Sequence, residues 1–465
     1  MPGTIFLLER RTKKPLLTLS AVREAGDSFE AIGPWFLTVF SLVVMGLGVS
    51  IITGKPPLLF YLMITYGTAL SLILSSPLHS MFARYLADEI FLGHLQEVAS
   101  GMLALTVLVA GLSLGLSSLM IFYFSTISAA LKVGFVALTT ILSLLWCISS
   151  VFSALQKERL MFKLFIGGVS FGLCLFLLMK PRGTERLLLV FSIGMLVPTA
   201  GGYGYLVKLY MREKLFLNWA FLRKKGAGRL GFSLFSFTLG FWADKMVFWF
   251  FPGTGDAYDP FFHYSAEYDF PFFIAITLMM IGSLLVYKGM KRRITGPYEA
   301  FVYKLYNNFP FRELALEKFR LVQGIGQVSS SILLFYGGLS LLVLFFLYFR
   351  SIPFPWKNPF VFHYLLLGSI FFSLYFFYFL VLQYLDDFKG LVLLNTLFLF
   401  TNSGFTFISI KLGWKFFGTG FMAASVISAL TAFFLVNGRV GGLEYEVFRK
   451  AVEEQRKEKG KGSNG

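Results

Sequence analysis

Leu230-Gly231-Phe232-Ser233-Leu234-Phe235-Ser236-Phe237-Thr238-Leu239-Gly240-Phe241-Trp242-Ala243-Asp244-Lys245-Met246-Val247-Phe248-Trp249-Phe250-Phe251 is a 22-residue apolar run with an acid and a base side by side within it. A helix needs about 20 residues to cross roughly 30 Å of hydrocarbon. Lipid offers an exposed backbone no hydrogen bonds, so a lone spanning segment must be helical. Read this way, the run puts Asp244 and Lys245 at mid-membrane, where insertion scales assign a charge a cost of about 2.5–3.5 kcal/mol. Residues in that position are expected to have partners or a function.

The surrounding chain has the same character. Of its 465 residues 56% are hydrophobic and 14% charged, with a mean hydropathy of +0.70, whereas soluble domains average about 25% charged. A soluble, disordered or collagen-like chain is excluded. Apolar runs predict twelve spans, at approximately 33–54, 57–78, 100–123, 133–155, 161–180, 186–208, 230–251, 269–287, 327–349, 361–382, 389–410 and 416–437. The expected fold is an all-α polytopic membrane protein with about twelve transmembrane helices in two six-helix bundles. Positive residues are retained in the cytoplasm. With the N-terminus inside, 32 of the 42 Lys and Arg fall in inside segments, nine in outside loops, and Lys245 within a span. Both termini are therefore expected to be cytoplasmic, and the net charge of +17 is mainly a topological signal that also suits anionic lipid. It calls for no nucleic-acid partner.

The expected organisation is an N-terminal cytoplasmic segment, 1–32, with no signal-peptide core; a first bundle, 33–211; a basic linker, 212–229; a second bundle, 230–437; and a cytoplasmic tail, 438–465. The second bundle carries an amphipathic insert, 288–326. Gly33-Pro34 suits a helix start, because proline lacks a donor that would be orphaned there. Six spans per half permit a parallel repeat around a central cleft.

Neighbours on a helix point about 100° apart, so Asp244 and Lys245 are expected to flank a cleft edge or to reach different helices. Two readings stand for them. One is a buried ion pair locking the halves together. The other is a cleft carboxylate that meets a hydroxyl-rich or cationic solute, or titrates with a driving ion, while Lys245 keeps its charge in register. Trp242, Asn395 and Asn402 are further candidates for the cleft, although the asparagines could equally bond between helices. The loop after 251 holds Asp256, Asp259 and Glu267 among Tyr258, Tyr264 and Tyr268, with no Lys or Arg. Rings stack on sugars and carboxylates accept from hydroxyl or ammonium groups, so this acidic aromatic lip is a candidate exit surface. Pro198 with Gly201 and Gly202 is a candidate hinge. Arg84 and Asp88, in an amphipathic stretch over 84–98, and Tyr298, Tyr306 and Phe311 in the insert are candidates for lipid or partner docking.

Cys147 and Cys174 lie in apolar runs and have no metal-site spacing. No P-loop, metal motif or nucleophile elbow is present, so the chain is expected to be a transporter and not an enzyme, with no cofactor and no metal.

Six segments in order carry a resemblance over nearly the whole chain. They are Ile32-Gly33-Pro34-Trp35, Phe82-Ala83-Arg84-Tyr85-Leu86-Ala87-Asp88, Leu239-Gly240-Phe241-Trp242-Ala243-Asp244-Lys245, Tyr268-Asp269-Phe270-Pro271-Phe272-Phe273-Ile274-Ala275, Tyr384-Leu385-Asp386-Asp387-Phe388-Lys389-Gly390 and Leu443-Glu444-Tyr445-Glu446-Val447-Phe448. With these the chain resembles the PelG family of polysaccharide transporters, in the superfamily of multidrug, oligosaccharide-lipid and polysaccharide flippases. The resemblance implies twelve helices in two bundles of the MOP/MATE kind in the cytoplasmic (inner) membrane. It implies export of a polymer rich in N-acetylgalactosamine and partly deacetylated. It also implies assembly with a cytoplasmic PelF-like glycosyltransferase and with PelD-like and PelE-like membrane subunits. Two alternatives remain open at this stage: a lipid-linked oligosaccharide or drug/ion antiporter of the same superfamily, and a non-conducting scaffold of a synthase complex.

Overall fold

The structure, a computed structural model, describes residues 17–210, 216–307, 309–348 and 358–445. The basic residues before Leu17, Arg212 and Lys214 of the linker, and the tail beyond Tyr445 lie outside the described residues. The chain is built from α1 (Leu17–Thr53), α2 (Leu58–Leu92), α3 (Leu95–Phe124), α4 (Ala129–Ala154), α5 (Glu158–Met179), α6 (Thr184–Tyr210), a short α7 (Ala220–Arg223), α8 (Ala227–Phe250), α9 (Asp269–Gly289), α10 (Gly296–Tyr306), α11 (Phe311–Tyr348), α12 (Pro359–Tyr384), α13 (Phe388–Leu412) and α14 (Thr419–Gly441). A two-residue hairpin, β1 (Asp256–Ala257) against β2 (His263–Tyr264), interrupts the helices.

Twelve of the helices have 21 to 38 residues. Among the described residues, eleven helical segments are long and apolar enough to cross a membrane, which makes this a multi-pass membrane protein. The twelfth long helix, α8, has 24 residues, or about 36 Å at 1.5 Å per residue. Asp244, Lys245 and its Ser and Thr residues lower its hydropathy, and its neighbours in the protein hold it in place.

Three boundaries differ from the sequence reading. Helix α1 does not start at Gly33-Pro34; it runs from Leu17 and carries Pro34 inside it, where a long helix tolerates the loss of one backbone bond when neighbouring groups adjust. The stretch 84–98 is not a separate surface helix. Instead α2 continues to Leu92 and turns over Gly93, at a left-handed φ of 78°, into α3. The amphipathic insert is helical, and it is continuous with the spans on either side of it. Helix α9 passes through a π-helical turn, Met290–Thr295, into α10, and α11 returns beside it.

The two halves, α1–α6 and α8–α14, each have an apolar core, and they repeat one packing scheme. Helices α1, α2, α3, α4, α5 and α6 correspond to α8, α9, α11, α12, α13 and α14. The α1–α5, α2–α3, α2–α4, α3–α4, α4–α6 and α5–α6 contacts of the first half recur as α8–α13, α9–α11, α9–α12, α11–α12, α12–α14 and α13–α14. The α4–α5 and α12–α13 turns are closed alike. Leu155, Gln156 and Lys157 donate to the carbonyls of Val151, Ser153 and Phe152, and Leu385, Asp386 and Asp387 donate to those of Val381, Gln383 and Leu382. Gln156 (φ 55°) and Asp386 (φ 59°) take the left-handed conformation at matching positions. The repeat lies in packing and hydrogen bonding more than in residue identity.

The halves meet along two seams that the repeat relates, α2 against α8 and α1 against α9. The α2–α8 seam runs the length of both helices. Tyr66 stacks on Trp249 at 4.7 Å, the Ser76 and Thr238 hydroxyls lie 3.0 Å apart, and Met81 packs over Gly231. Below, the end carrying the 252–268 loop is called the acidic face, and the end carrying the α2–α3 and α12–α13 turns the basic face.

Helix α8 also lies close against α13. A Cβ at Gly240 would stand 2.9 Å from the Phe398 ring and 3.1 Å from the Leu399 Cα. Gly240→Val is therefore expected to destabilise the folded protein by about 1–3 kcal/mol, read as a lower thermal midpoint in detergent. Gly228→Ala, with open space around the new methyl, should leave that midpoint unchanged, and equal midpoints for the two variants would contradict this packing.

Candidate transport site

On α8 the side chains of Asp244 and Lys245 are both buried and bond to each other. The Lys245 Nζ donates to Asp244 Oδ1 at 2.8 Å and to the Phe241 carbonyl at 2.6 Å. The Tyr268 hydroxyl donates to Asp244 Oδ2 at 2.5 Å. The ammonium lies 3.4 Å from the Phe272 ring centroid and 4.6 Å from that of Phe241, within cation–π range. The expectation that the two residues flank a cleft edge or reach different helices is corrected here. Their Cα–Cβ bonds diverge, but a lysine stem is long enough to fold back one residue. Asp244 is 0% exposed, so in this conformation it touches no open gap. The acid, the base and the phenol form a closed cluster tying α8 to the first turn of α9.

The other face of α8 is fixed by amides. Asn395 Nδ2 donates to the Ser233 carbonyl and hydroxyl at 3.1 and 2.8 Å, while its Oδ1 accepts from the Tyr375 hydroxyl at 2.7 Å. One heptad further on, Asn402 Nδ2 donates to the Gly240 carbonyl at 2.9 Å. Asparagines seven residues apart thus bond carbonyls seven residues apart on a parallel helix. Their role here is interhelical bonding, one of the two that the sequence allowed. Trp242 turns toward the first half and packs beside Met246 and Trp249; its indole N–H is buried with no partner among the described residues.

At the acidic face the loop grips the first half. Phe261 and Phe262 are buried in that half's core. The Tyr66 hydroxyl donates to the His263 carbonyl and accepts from its amide, each at 3.0 Å. Asp259 accepts from the Ser125 hydroxyl, from the Thr126 amide at 3.1 Å, and from the Phe261 and Phe262 amides at 2.9 and 2.7 Å. Burial pushes the Asp259 carboxyl up, but these donors outweigh it and hold it below the usual carboxylate range. Of the residues assigned to the lip, Tyr268 is buried beneath it and Tyr264 is half-buried against the first half. Asp256 and Glu267 line a cavity of about 240 Å³ with Thr254 and Phe417.

At the basic face Arg84 of α2 forms a two-pronged ion pair with Asp386 in the α12–α13 turn, Nη2 to Oδ2 at 3.0 Å. Its guanidinium lies 4.7 Å from the Phe388 ring centroid. Asp88 pairs with Lys224 just before α8. Both docking candidates on α2 are thus engaged within the chain. Tyr298 is buried against Tyr384, whereas Tyr306 and Phe311 are exposed. Helix α6 is continuous through Pro198, Gly201 and Gly202 to Tyr210. There Pro198 faces Gly168 of α5, Gly201 faces Leu164, and Gly202 faces Ile148 of α4.

Sequence reasoning missed Tyr66, His263 and Asp386 as links between the halves. Tyr66 and His263 are 197 residues apart and Arg84 and Asp386 are 302 apart, so no periodicity reports them. It also passed over His79 on α2, whose Nδ1 is buried without a partner among the described residues.

A sequence family described as "PelG: Putative exopolysaccharide Exporter (EPS-E)" matches residues 8–448. No curated protein matches the chain. Among solved structures it is similar to an outward-facing multidrug resistance MATE family transporter of the MOP superfamily, with a TM-score of 0.56, 12% identity, and 91% of this chain and 97% of that chain covered. It is also similar to MATE in the bent conformation, with a TM-score of 0.55, 14% identity, and coverage of 91% and 96%. A third is the MATE transporter ClbM in complex with Rb+, with a TM-score of 0.55, 13% identity, and coverage of 89% and 94%. These likenesses establish the fold.

Two outcomes test the site's geometry. Asp244→Ala strands a buried ammonium, and losing one partner of a buried pair costs about 3–5 kcal/mol. The variant should lose much of its thermal stability in detergent, and Asp244→Asn/Lys245→Met should regain most of it. If the double variant is no more stable than Asp244→Ala, the pair is not what holds α8 to α9. For Asp259, a depressed folded pKa means that its contribution is complete above the unfolded value of about 3.9 and is lost as pH falls through the folded one. Hydrogen exchange of residues 259–264 should stay slow down to about pH 4 and quicken below it, and should already be fast at neutral pH in Asp259→Asn. Loss of protection near pH 6 would contradict that assignment.

Proposed function

The chain belongs to the PelG family, and from that premise we propose that it exports a nascent exopolysaccharide across the cytoplasmic membrane by parting its two halves along the α2–α8 seam. The polymer is of the Pel type, rich in N-acetylgalactosamine and partly deacetylated. Both termini and the basic face lie in the cytoplasm, where a PelF-like glycosyltransferase delivers the chain, with PelD-like and PelE-like subunits beside it. The observation that carries the reading is the exporter-family match over 8–448 on a fold whose halves are separate cores joined by seams.

A polymer path needs polar surface that can be uncovered. The α2–α8 seam provides it at Ser76 and Thr238, with the half-buried Trp242 alongside. Links close both ends, Arg84 to Asp386 at the basic face and Asp259 and His263 to the first half at the acidic face. The polar members of these links are hydrogen bonds and ion pairs that water can replace, while Phe261 and Phe262 carry the acidic-face loop with the first half. Asp244 acts here by keeping α8 attached to its own half while the seam opens. Asp256 and Glu267, at the outer cavity, would receive hydroxyl and ammonium groups of the emerging sugar. On the basic face the exposed Phe311, Leu316 and Phe319 of α11 offer an apolar surface to a partner subunit.

Locking the seam tests the reading. In cells with an active synthase, oxidised Ser76→Cys/Thr238→Cys should lose surface polymer while the complex still co-purifies, and a reductant should restore it. Unchanged export through the locked seam would overturn this route.

A further inference from the structure

A cavity of about 480 Å³ opens on the basic face where the linker enters α8. Its walls combine Tyr85 and Glu89 of α2 with Phe216, Leu217, Trp219 and Arg223 of the linker. From these walls and their depth we infer that the cavity binds the headgroup of phosphatidylethanolamine.

Depth comes first. Counted from Phe250 at the acidic face, about 30 Å of hydrocarbon ends near residue 230 at 1.5 Å per residue. Helix α2 runs antiparallel to α8 with Met81 beside Gly231. Tyr85 and Glu89 therefore lie one and two turns beyond that plane, in the headgroup layer. Aromatic residues such as Tyr85 and Trp219 are enriched at this level.

Charge then narrows the ligand. Arg223 is exposed at the cavity wall and supplies a planar donor suited to phosphate. Lys224 is bound to Asp88 and lies 5.6 Å from the Tyr85 ring centroid, so it shapes the wall while most of its charge is met. Glu89 gives the same cavity a carboxylate; one of its oxygens bonds the His94 ring at 3.0 Å. An acid facing a base would repel a purely anionic headgroup on one side. A headgroup with phosphate at one end and a primary ammonium at the other satisfies both walls, with Tyr85 and Trp219 rings near the cation.

The mouth favours a lipid over a soluble phosphoamine. Phe216 and Leu217 are 47% and 48% exposed there, and that apolar surface at headgroup depth is covered when glycerol and acyl chains lie across it. The site lies at the junction of the two halves, so an occupied cavity would brace the linker against α2.

The test uses the full chain in nanodiscs, with retained lipid counted by native mass spectrometry. From equal mixtures the wild type should retain phosphatidylethanolamine several-fold over phosphatidylglycerol and phosphatidylcholine. Arg223→Ala should lose that preference, while Glu89→Gln, which keeps an acceptor for His94, should shift it toward phosphatidylglycerol. Water-soluble phosphoethanolamine at millimolar concentration should not displace the lipid. Equal retention of the three lipids, a wild-type preference for phosphatidylglycerol, or displacement by the soluble headgroup would each overturn the inference. Unchanged thermal midpoints would show that both variants remain folded; if either midpoint falls, Arg223→Lys, which keeps the charge, should retain the lipid, and its failure to do so would also overturn it.

Discussion

A carboxylate and an ammonium one residue apart in a membrane helix have no solvent to neutralise them, so the protein must do it. Here they neutralise each other, with the Tyr268 hydroxyl on the second carboxylate oxygen and two aromatic faces on the cation. This requirement places α8. Among the described residues it is the long helix that is not apolar enough to count as a span on composition, and it is held on three sides. The charge cluster binds it to α9, two asparagines and a glycine bind it to α13, and hydroxyls and stacked rings hold it against α2.

The three attachments differ in kind, and the difference bears on motion. Those to α9 and α13 are internal to the second half and hard to dissolve, because each would leave a buried charge or amide unpaired. The attachment to α2 crosses between halves through the Ser76 and Thr238 hydroxyls, the Tyr66–Trp249 stack and Met81 over Gly231, with no buried charge or amide in it, and the links at either end are partly open to solvent. A two-state transition needs rigid bodies with a replaceable contact between them. The duplicated packing supplies the bodies, and the α2–α8 seam supplies such a contact.

Much of the fold was legible in the sequence because hydropathy reports directly on what lipid permits. Each of the spans from 57–78 to 416–437 overlaps a long helix among the described residues. Hydropathy is silent about helix outside lipid, and this accounts for the differences at 17–33 and 84–92, where long helices continue beyond the apolar run; the insert's amphipathic pattern gave its helices but not their continuity with the spans. The site was less legible. A helical wheel treats side chains as spokes, and it separated Asp244 from Lys245 because it ignores the reach of a lysine. The Asn395 and Asn402 alternatives could be told apart only once Ser233 and Gly240 were seen opposite them. Asp259 and Tyr268 looked like surface residues of an acidic lip, since nothing local shows that Phe261 and Phe262 draw the loop into the other half. The repeat was invisible because its two copies share contacts and turn geometry at matched positions rather than residues.

The central claim is that export requires the halves to separate. Lys55, at the α1–α2 turn, and Lys415, between α13 and α14, are exposed on the acidic face in opposite halves. The direct measurement is the distance between spin labels at these two positions, by pulsed electron resonance, with the synthase idle and with it making polymer. A separating seam predicts a second, longer distance that appears only during synthesis. A single distance that stays the same while polymer is being secreted would contradict it.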